Sequence, residues 1–177
     1  MAVSIVATAG SASANSYITL AEADTYMEAR LNASAWETDA TTDNQNRALV
    51  EATRELTTLF YQGQRADDTQ ALAWPRQNAI DPDRFSSGFY YETTEIPQRV
   101  KDATAELALE FIKAGTTDVA ALPATDGVIQ KTVDVLSTTY ADPTRRKSGL
   151  ARYPRVLKLI APLLDSAYSG SLRVVRA

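Results

Sequence analysis

Apolar positions recur with a helical period in four stretches of this chain of 177 residues. The clearest is the stretch that opens at Arg47. Leu49, Ala52, Leu56, Leu59 and Phe60 fall in one arc of roughly 100° at the helix period, with Arg47, Glu51, Arg54 and Thr58 on the other side. Thr42-Asp43-Asn44-Gln45 is a capping-box pattern that starts this helix, and Gly63 is expected to stop it by accepting a left-handed backbone. An earlier box, Thr19-Leu20-Ala21-Glu22, opens a helix running to Arg30 or Leu31, with Leu20, Ala23, Met27 and Leu31 on one face. Pro97 is placed as a first-turn proline for a third helix that ends at Gly115. Val100, Ala103, Leu107 and Phe111 form one stripe of it, and Leu109 and Ile112 point to the other side. A helix that is apolar on two sides is buried twice, so Leu109 and Ile112 face either a helix of the same chain or a subunit interface. Pro154 opens the last helix, with Val156, Leu159, Ile160 and Leu163 as a narrow apolar face and Pro162 expected to end or kink it.

The intervening segments follow other patterns. Val128–Thr139 alternates with neither face cleanly apolar, which predicts an edge strand or an exposed ribbon. Asn32–Thr41 is a polar connection with Trp36 inside it. In Leu72-Ala73-Trp74-Pro75 the proline holds Trp74 extended, and the large ring is suited to closing a helical core rather than stacking on a base. Residues 1–18, rich in Ala, Gly, Ser, Thr and Asn, bury too little to order themselves and are expected to form a flexible arm. Ser169-Gly170-Ser171 is a swivel before a short β-prone tail, Leu172, Arg173, Val174, Val175 and Arg176, suited to adding onto a foreign sheet edge or groove. The expected fold is therefore mainly α: a small helical bundle over 19–168 with a short β-ribbon or strand near 128–140, flanked by an N-terminal arm and a docking tail over 169–177.

Composition narrows the chemistry. The chain is 45% hydrophobic and 23% charged, enough for one ordinary domain with a buried core. It has no cysteine and no histidine, which removes disulfides, thiol catalysis, His-based triads and zinc sites built on those ligands. No window reaches the roughly 18 apolar residues of a membrane span, and the N-terminus lacks the charged start of a secretion signal. The net charge of −4 is unevenly divided. Residues 1–141 carry 20 acidic and 10 basic groups, whereas residues 142–177 carry 2 acidic and 8 basic ones. An acidic body with a basic end suits contact with an acidic protein surface, a neighbouring copy or nucleic acid. Arg145, Arg146 and Lys147 are the densest part of that end and are candidates for contact with phosphates or an acidic partner.

Signatures of catalysis are missing. The chain holds no GxGxxG, GxxxxGK[ST] or GxSxG. Asp81, Asp83 and Glu92 match the first, third and twelfth positions of a calcium loop, but Phe85 replaces a ligand and Ser86 the required glycine. Asp67-Asp68 and Asp81/Asp83 read as solvated loop carboxylates rather than acid–base pairs. A carboxylate-based or metal-dependent enzyme is a residual reading, and no cofactor is expected.

Three passages, in order, resemble a known family: Asn15-Ser16-Tyr17-Ile18-Thr19-Leu20-Ala21-Glu22-Ala23-Asp24 with Tyr26; the helix from Arg47 leading into Ala71-Leu72-Ala73-Trp74-Pro75-Arg76; and Ile96-Pro97-Gln98-Arg99-Val100-Lys101 with Ala105-Glu106-Leu107-Ala108. The closing Leu159-Ile160-Ala161-Pro162-Leu163-Leu164 and the Arg-bearing tail fit as well. Together they resemble the head–tail adaptor, or head-completion and neck, proteins of tailed bacteriophages, some of whose relatives carry the label of DnaT-like single-stranded DNA-binding proteins. The resemblance implies a helical structural protein of the virion neck, assembled in the host cytoplasm. It implies a homo-oligomeric ring of about twelve copies closed by head-to-tail contacts. Its implied partners are the portal protein, a tail or stopper protein and the double-stranded DNA that passes through the lumen. The alternative is a single-stranded DNA-binding replication accessory, suggested by the basic end with Tyr140 and Tyr153 nearby.

Overall fold

The computed structural model describes residues 3–83, 90–115 and 149–165, together with the backbone of two strands at 130–133 and 136–139. The fold is mainly α. Helix α1 spans Leu20–Glu28, α2 Thr42–Thr57, α3 Gln98–Ala114 and α4 Pro154–Ile160. Two-residue strands β1 (Gln64–Arg65) and β2 (Arg76–Gln77) pair antiparallel, and β3 (Gln130–Val133) pairs with β4 (Leu136–Thr139), Gln130 opposite Thr139. Within the Val128–Thr139 stretch the two described strands thus form a short antiparallel ribbon.

The architectural centre is α3. It packs on α2, α4, α1 and the π-helical turn Ala35–Asp39. Val100, every residue from Ala103 to Leu109, and Phe111 are buried. Its first apolar stripe is covered by the chain itself, and its second in part. Of the two alternatives, Leu109 takes the first, fully buried by the chain itself, and Ile112 packs half-buried against the core. Small side chains at Ala103, Ala105 and Ala108 let neighbouring helices approach closely while Leu107, Leu109 and Phe111 fill the space between them. Gly115 ends the helix at φ +67°, its N–H returning to Ile112 and Phe111 carbonyls.

The ends of the first two helices differ from the periodicity. α1 stops at Glu28, so Leu31 lies past it and is 85% exposed. α2 stops at Thr57, which leaves Phe60 outside the apolar arc and exposed. Gly63 does not cap α2. It takes φ +71° in the turn before β1, where a Cβ would stand 2.3 Å from the Gln77 carbonyl oxygen. Leu49, Ala52 and Leu56 are buried as their spacing predicts, and Pro162 closes α4 in a 3-10 turn, Ala161–Leu163.

The N-terminal segment is not a free arm. Val6 accepts from the backbone of Asn15 at 2.9 Å and donates to the Asn15 side chain at 2.7 Å, folding residues 3–18 into a closed loop. Val3 donates to Asp43 of α2, Asn46 donates back to Val3, and Ser11 accepts from Ala71. Tyr17 and Ile18 then enter the core. Local side-chain partners satisfy the backbone of a segment whose composition lacks apolar mass.

Trp74 closes the core as expected. It is 1% exposed and meets Tyr61 and Tyr91 edge-on, with ring centroids at 5.6 Å in both cases. Trp74-Pro75 is a cis peptide. Behind it, Arg76 donates to the carbonyls of Tyr61, Gln62, Gly63 and Ala73, so one guanidinium ties the segment after α2 to the tryptophan loop.

Candidate functional site

The side chains that converge are Tyr26 and Arg30 from α1 and its exit, Glu106 from the middle of α3 and Arg155 from the first turn of α4. Glu106 interrupts an otherwise apolar run and is almost fully buried. Its Oε1 accepts from the Tyr26 hydroxyl and from Arg30 Nε, each at 2.9 Å, while Oε2 accepts from Arg30 Nη2 at 3.0 Å. Arg155 reaches Oε1 at 3.2 Å. Burial alone would raise the Glu106 pKa, but Arg30, Tyr26 and Arg155 together hold it below the usual carboxylate range. Tyr26 is driven the other way, by burial and by the neighbouring carboxylate. The Arg30 guanidinium is held more firmly protonated by its bonds to Glu106.

This quartet lines a cleft of about 590 Å³ together with Ala29, Leu31, Asn32 and Lys113. A second hollow of about 210 Å³ shares Arg30, Glu106 and Arg155 and extends to Glu110, Arg152 and Tyr153. The arrangement can hold an anion or an acidic side chain at its rim. Its buried carboxylate, Glu106, is engaged by two guanidinium groups and a phenol.

The carboxylates singled out from sequence serve local structure. Asp67 accepts from the Thr69 N–H at 2.7 Å, Asp81 from the Asp83 N–H at 3.0 Å, and Asp83 forms a forked pair with Arg99. The Tyr91 phenol is pushed up to about 12 by burial and by nearby Asp81. Among the described residues no three acidic side chains gather as a metal site would need, and no helix is long and apolar enough to cross a membrane. Tyr153, half-buried, stands edge-on to Phe111 with ring centroids 6.5 Å apart.

The basic loop Arg145, Arg146 and Lys147, Tyr140 and the tail Leu172, Arg173, Val174, Val175 and Arg176 lie outside the described residues. The quartet itself was not legible as a site in the sequence. Its one signal is Glu106, a lone acid between Ala105 and Leu107, where a charge must find a partner or be expelled.

Comparison with curated proteins and with solved structures gives no match. A protein-family model described as "Putative DnaT-like ssDNA binding protein" matches residues 1–177, the whole chain. The chain belongs to that family.

Proposed function

We propose that this chain is a structural adaptor of the tailed-phage neck. It forms a ring that joins the portal to the tail and extends the DNA channel. The observation that carries this reading is the charge division between an acidic body and a basic C-terminal end, 20 acidic to 10 basic groups before residue 142 and 2 to 8 after it. An acidic wall repels passing double-stranded DNA and lets it slide, and a basic end grips an acidic surface. Weak contacts repeated around a ring add through effective concentration, so each copy needs to contribute little. The ordered passages of the sequence that resemble neck adaptors support the same reading.

The test is docking. Electron microscopy of the purified protein with portal assemblies is expected to show it seated as a ring, and removing residues 170–177 is expected to leave a folded protein that no longer joins them. If the shortened chain docks as the full one does, the tail has no part in the joint.

The family description favours a second reading, a single-stranded DNA-binding accessory protein. Against it stands the acidic body; Tyr17, Trp36, Tyr61, Trp74 and Tyr91 are buried and cannot stack on a base, whereas Phe60 and Tyr90 are exposed. Titration of labelled single-stranded DNA at several salt concentrations separates the two. Binding that weakens steeply with salt supports the accessory protein, and none at low salt removes it.

A further inference from the structure

Arg30, Arg47, Arg54, Arg99 and Arg155 each meet a carboxylate. Among the described residues Arg65 and Arg76 meet none. They stand directly opposite one another in the register of β1 and β2, which puts both side chains on one face of the ribbon. Like charges in that position destabilise a strand pair. The acids nearest in sequence do not relieve it by pairing. Asp67 turns its carboxylate onto the Thr69 N–H and hydroxyl, at 2.7 and 2.6 Å, and Asp68 forms no ion pair with either arginine.

The two arginines are held differently. Arg76 donates to the carbonyls of Gln62, Ala73, Tyr61 and Gly63, and its guanidinium carbon lies 6.0 Å from the centre of the Tyr61 ring. Those bonds leave one N–H of its guanidinium unused. Carbonyl dipoles solvate the charge without cancelling it. Burial and the facing Arg65 together push the Arg76 pKa down from its ordinary value. Arg65 is exposed, and its side chain makes one bond, from Nη1 to the Gln70 carbonyl at 3.5 Å. Its Nε and Nη2 have no partner among the described residues. A carboxylate is planar and one guanidinium fork satisfies it, as Arg30 does for Glu106. Two guanidinium groups on one face suit an anion whose oxygens point in more than one direction, and the non-bridging oxygens of a phosphodiester do.

We propose that Arg65 and Arg76 together bind a phosphate of a DNA backbone, Arg65 supplying hydrogen bonds and Arg76 a fixed second charge. The close turn at Gly63 and the carbonyl clamp on Arg76 set the ribbon, so the pair is in place before its ligand arrives. A contact of this kind positions a backbone and reads no sequence. Set in an acidic body it grips weakly, which suits DNA that moves past it, and copies arranged in a ring present it repeatedly. Both functional readings place DNA beside the chain, and the inference rests on them to that extent. Neither assigns the contact to these residues.

Fluorescence anisotropy of labelled single-stranded and duplex DNA, titrated with the full chain over a salt series, tests it. Binding at low salt is expected, and Arg65→Gln is expected to weaken it about tenfold and to lower the salt slope by about one. Arg65→Lys keeps the charge without the fork and should fall between. Arg65→Glu is expected to abolish the contact while raising the urea midpoint, because an acid then faces Arg76 across the ribbon. That rise separates lost binding from lost structure. Whichever form of DNA binds more tightly identifies the source of the phosphate. No binding of either form at low salt overturns the proposal, as does binding that Arg65→Gln leaves unchanged in affinity and slope. A urea midpoint that Arg65→Glu fails to raise also overturns it, since the two charges then do not oppose one another. So does a loss of portal docking in Arg65→Gln with DNA binding intact, because the anion is then an acidic protein. Portal docking is read separately by electron microscopy. Docking with no effect of Arg65 on DNA removes this site and leaves the adaptor reading standing, whereas an Arg65-dependent DNA contact without docking does the reverse.

Discussion

Arg30 forks its guanidinium across both oxygens of Glu106, 76 positions later in the chain, at 2.9 and 3.0 Å. The pair pins the exit of α1 to the middle of α3, and Arg155 brings α4 to the same point. Removing the acid leaves Arg30 largely buried without a counter-charge. Glu106→Ala is therefore expected to cost about 3–5 kcal/mol, read as a lower urea midpoint. Glu106→Gln should cost less, since the amide still accepts one bond.

Acid should loosen the same region. Burial alone would raise the Glu22 pKa, but Lys101 and the cap at Thr19 outweigh it and bring it down to about 2 from an ordinary 4.5. A carboxylate depressed by folding stabilises the fold above its unfolded pKa, and that contribution is lost as pH falls through the folded value. Stability is thus expected to decline from about pH 4.5 towards 2. Glu22→Gln should flatten part of that decline and cost about 1 kcal/mol at neutral pH through the capping box. Denaturant titrations at stepped pH measure both.

Two left-handed glycines should respond unequally. Gly115→Ala meets open space at φ +67° and is expected to cost about 1–2 kcal/mol, the price of the backbone conformation alone. At Gly63, φ +71°, the added Cβ would collide with the Gln77 carbonyl at 2.3 Å and the Ala79 nitrogen at 2.7 Å. Gly63→Ala should cost clearly more, and paired thermal melts would show the gap. Equal losses would mean that β1 and β2 do not approach there as closely as described.

Trp36 and Trp74 are each 1% exposed. Tryptophan emission is expected to be blue-shifted, resistant to acrylamide quenching and unchanged by single-stranded DNA. Trp74→Ala removes the ring between Tyr61 and Tyr91 and should cost about 3–5 kcal/mol in chemical denaturation.

The mainly helical fold, the existence of four helices, the start of α1 at Thr19 and the burial of Trp74 were legible in the sequence, because helical spacing, caps and prolines act over a few residues. Helix ends were less so. Leu31 and Phe60 continue the apolar spacing, yet α1 and α2 end before reaching them, and only the packing partners of a turn decide whether it stays helical. The N-terminal segment looked too poor in apolar mass to order itself. It is held by Asn15, Asp43 and Asn46, bonds that span up to 43 positions and leave no periodic trace.

What the sequence alone determined is therefore the inventory: helices, their apolar faces, the division of charge and the absence of cysteine and histidine. The tertiary structure alone decided that α3 is the centre, that Leu109 is covered by its own chain and that Tyr26, Arg30, Glu106 and Arg155 meet. Local propensity acts between neighbours in the chain, whereas a cleft is made by residues that become neighbours only when helices pack. No spacing rule carries that information.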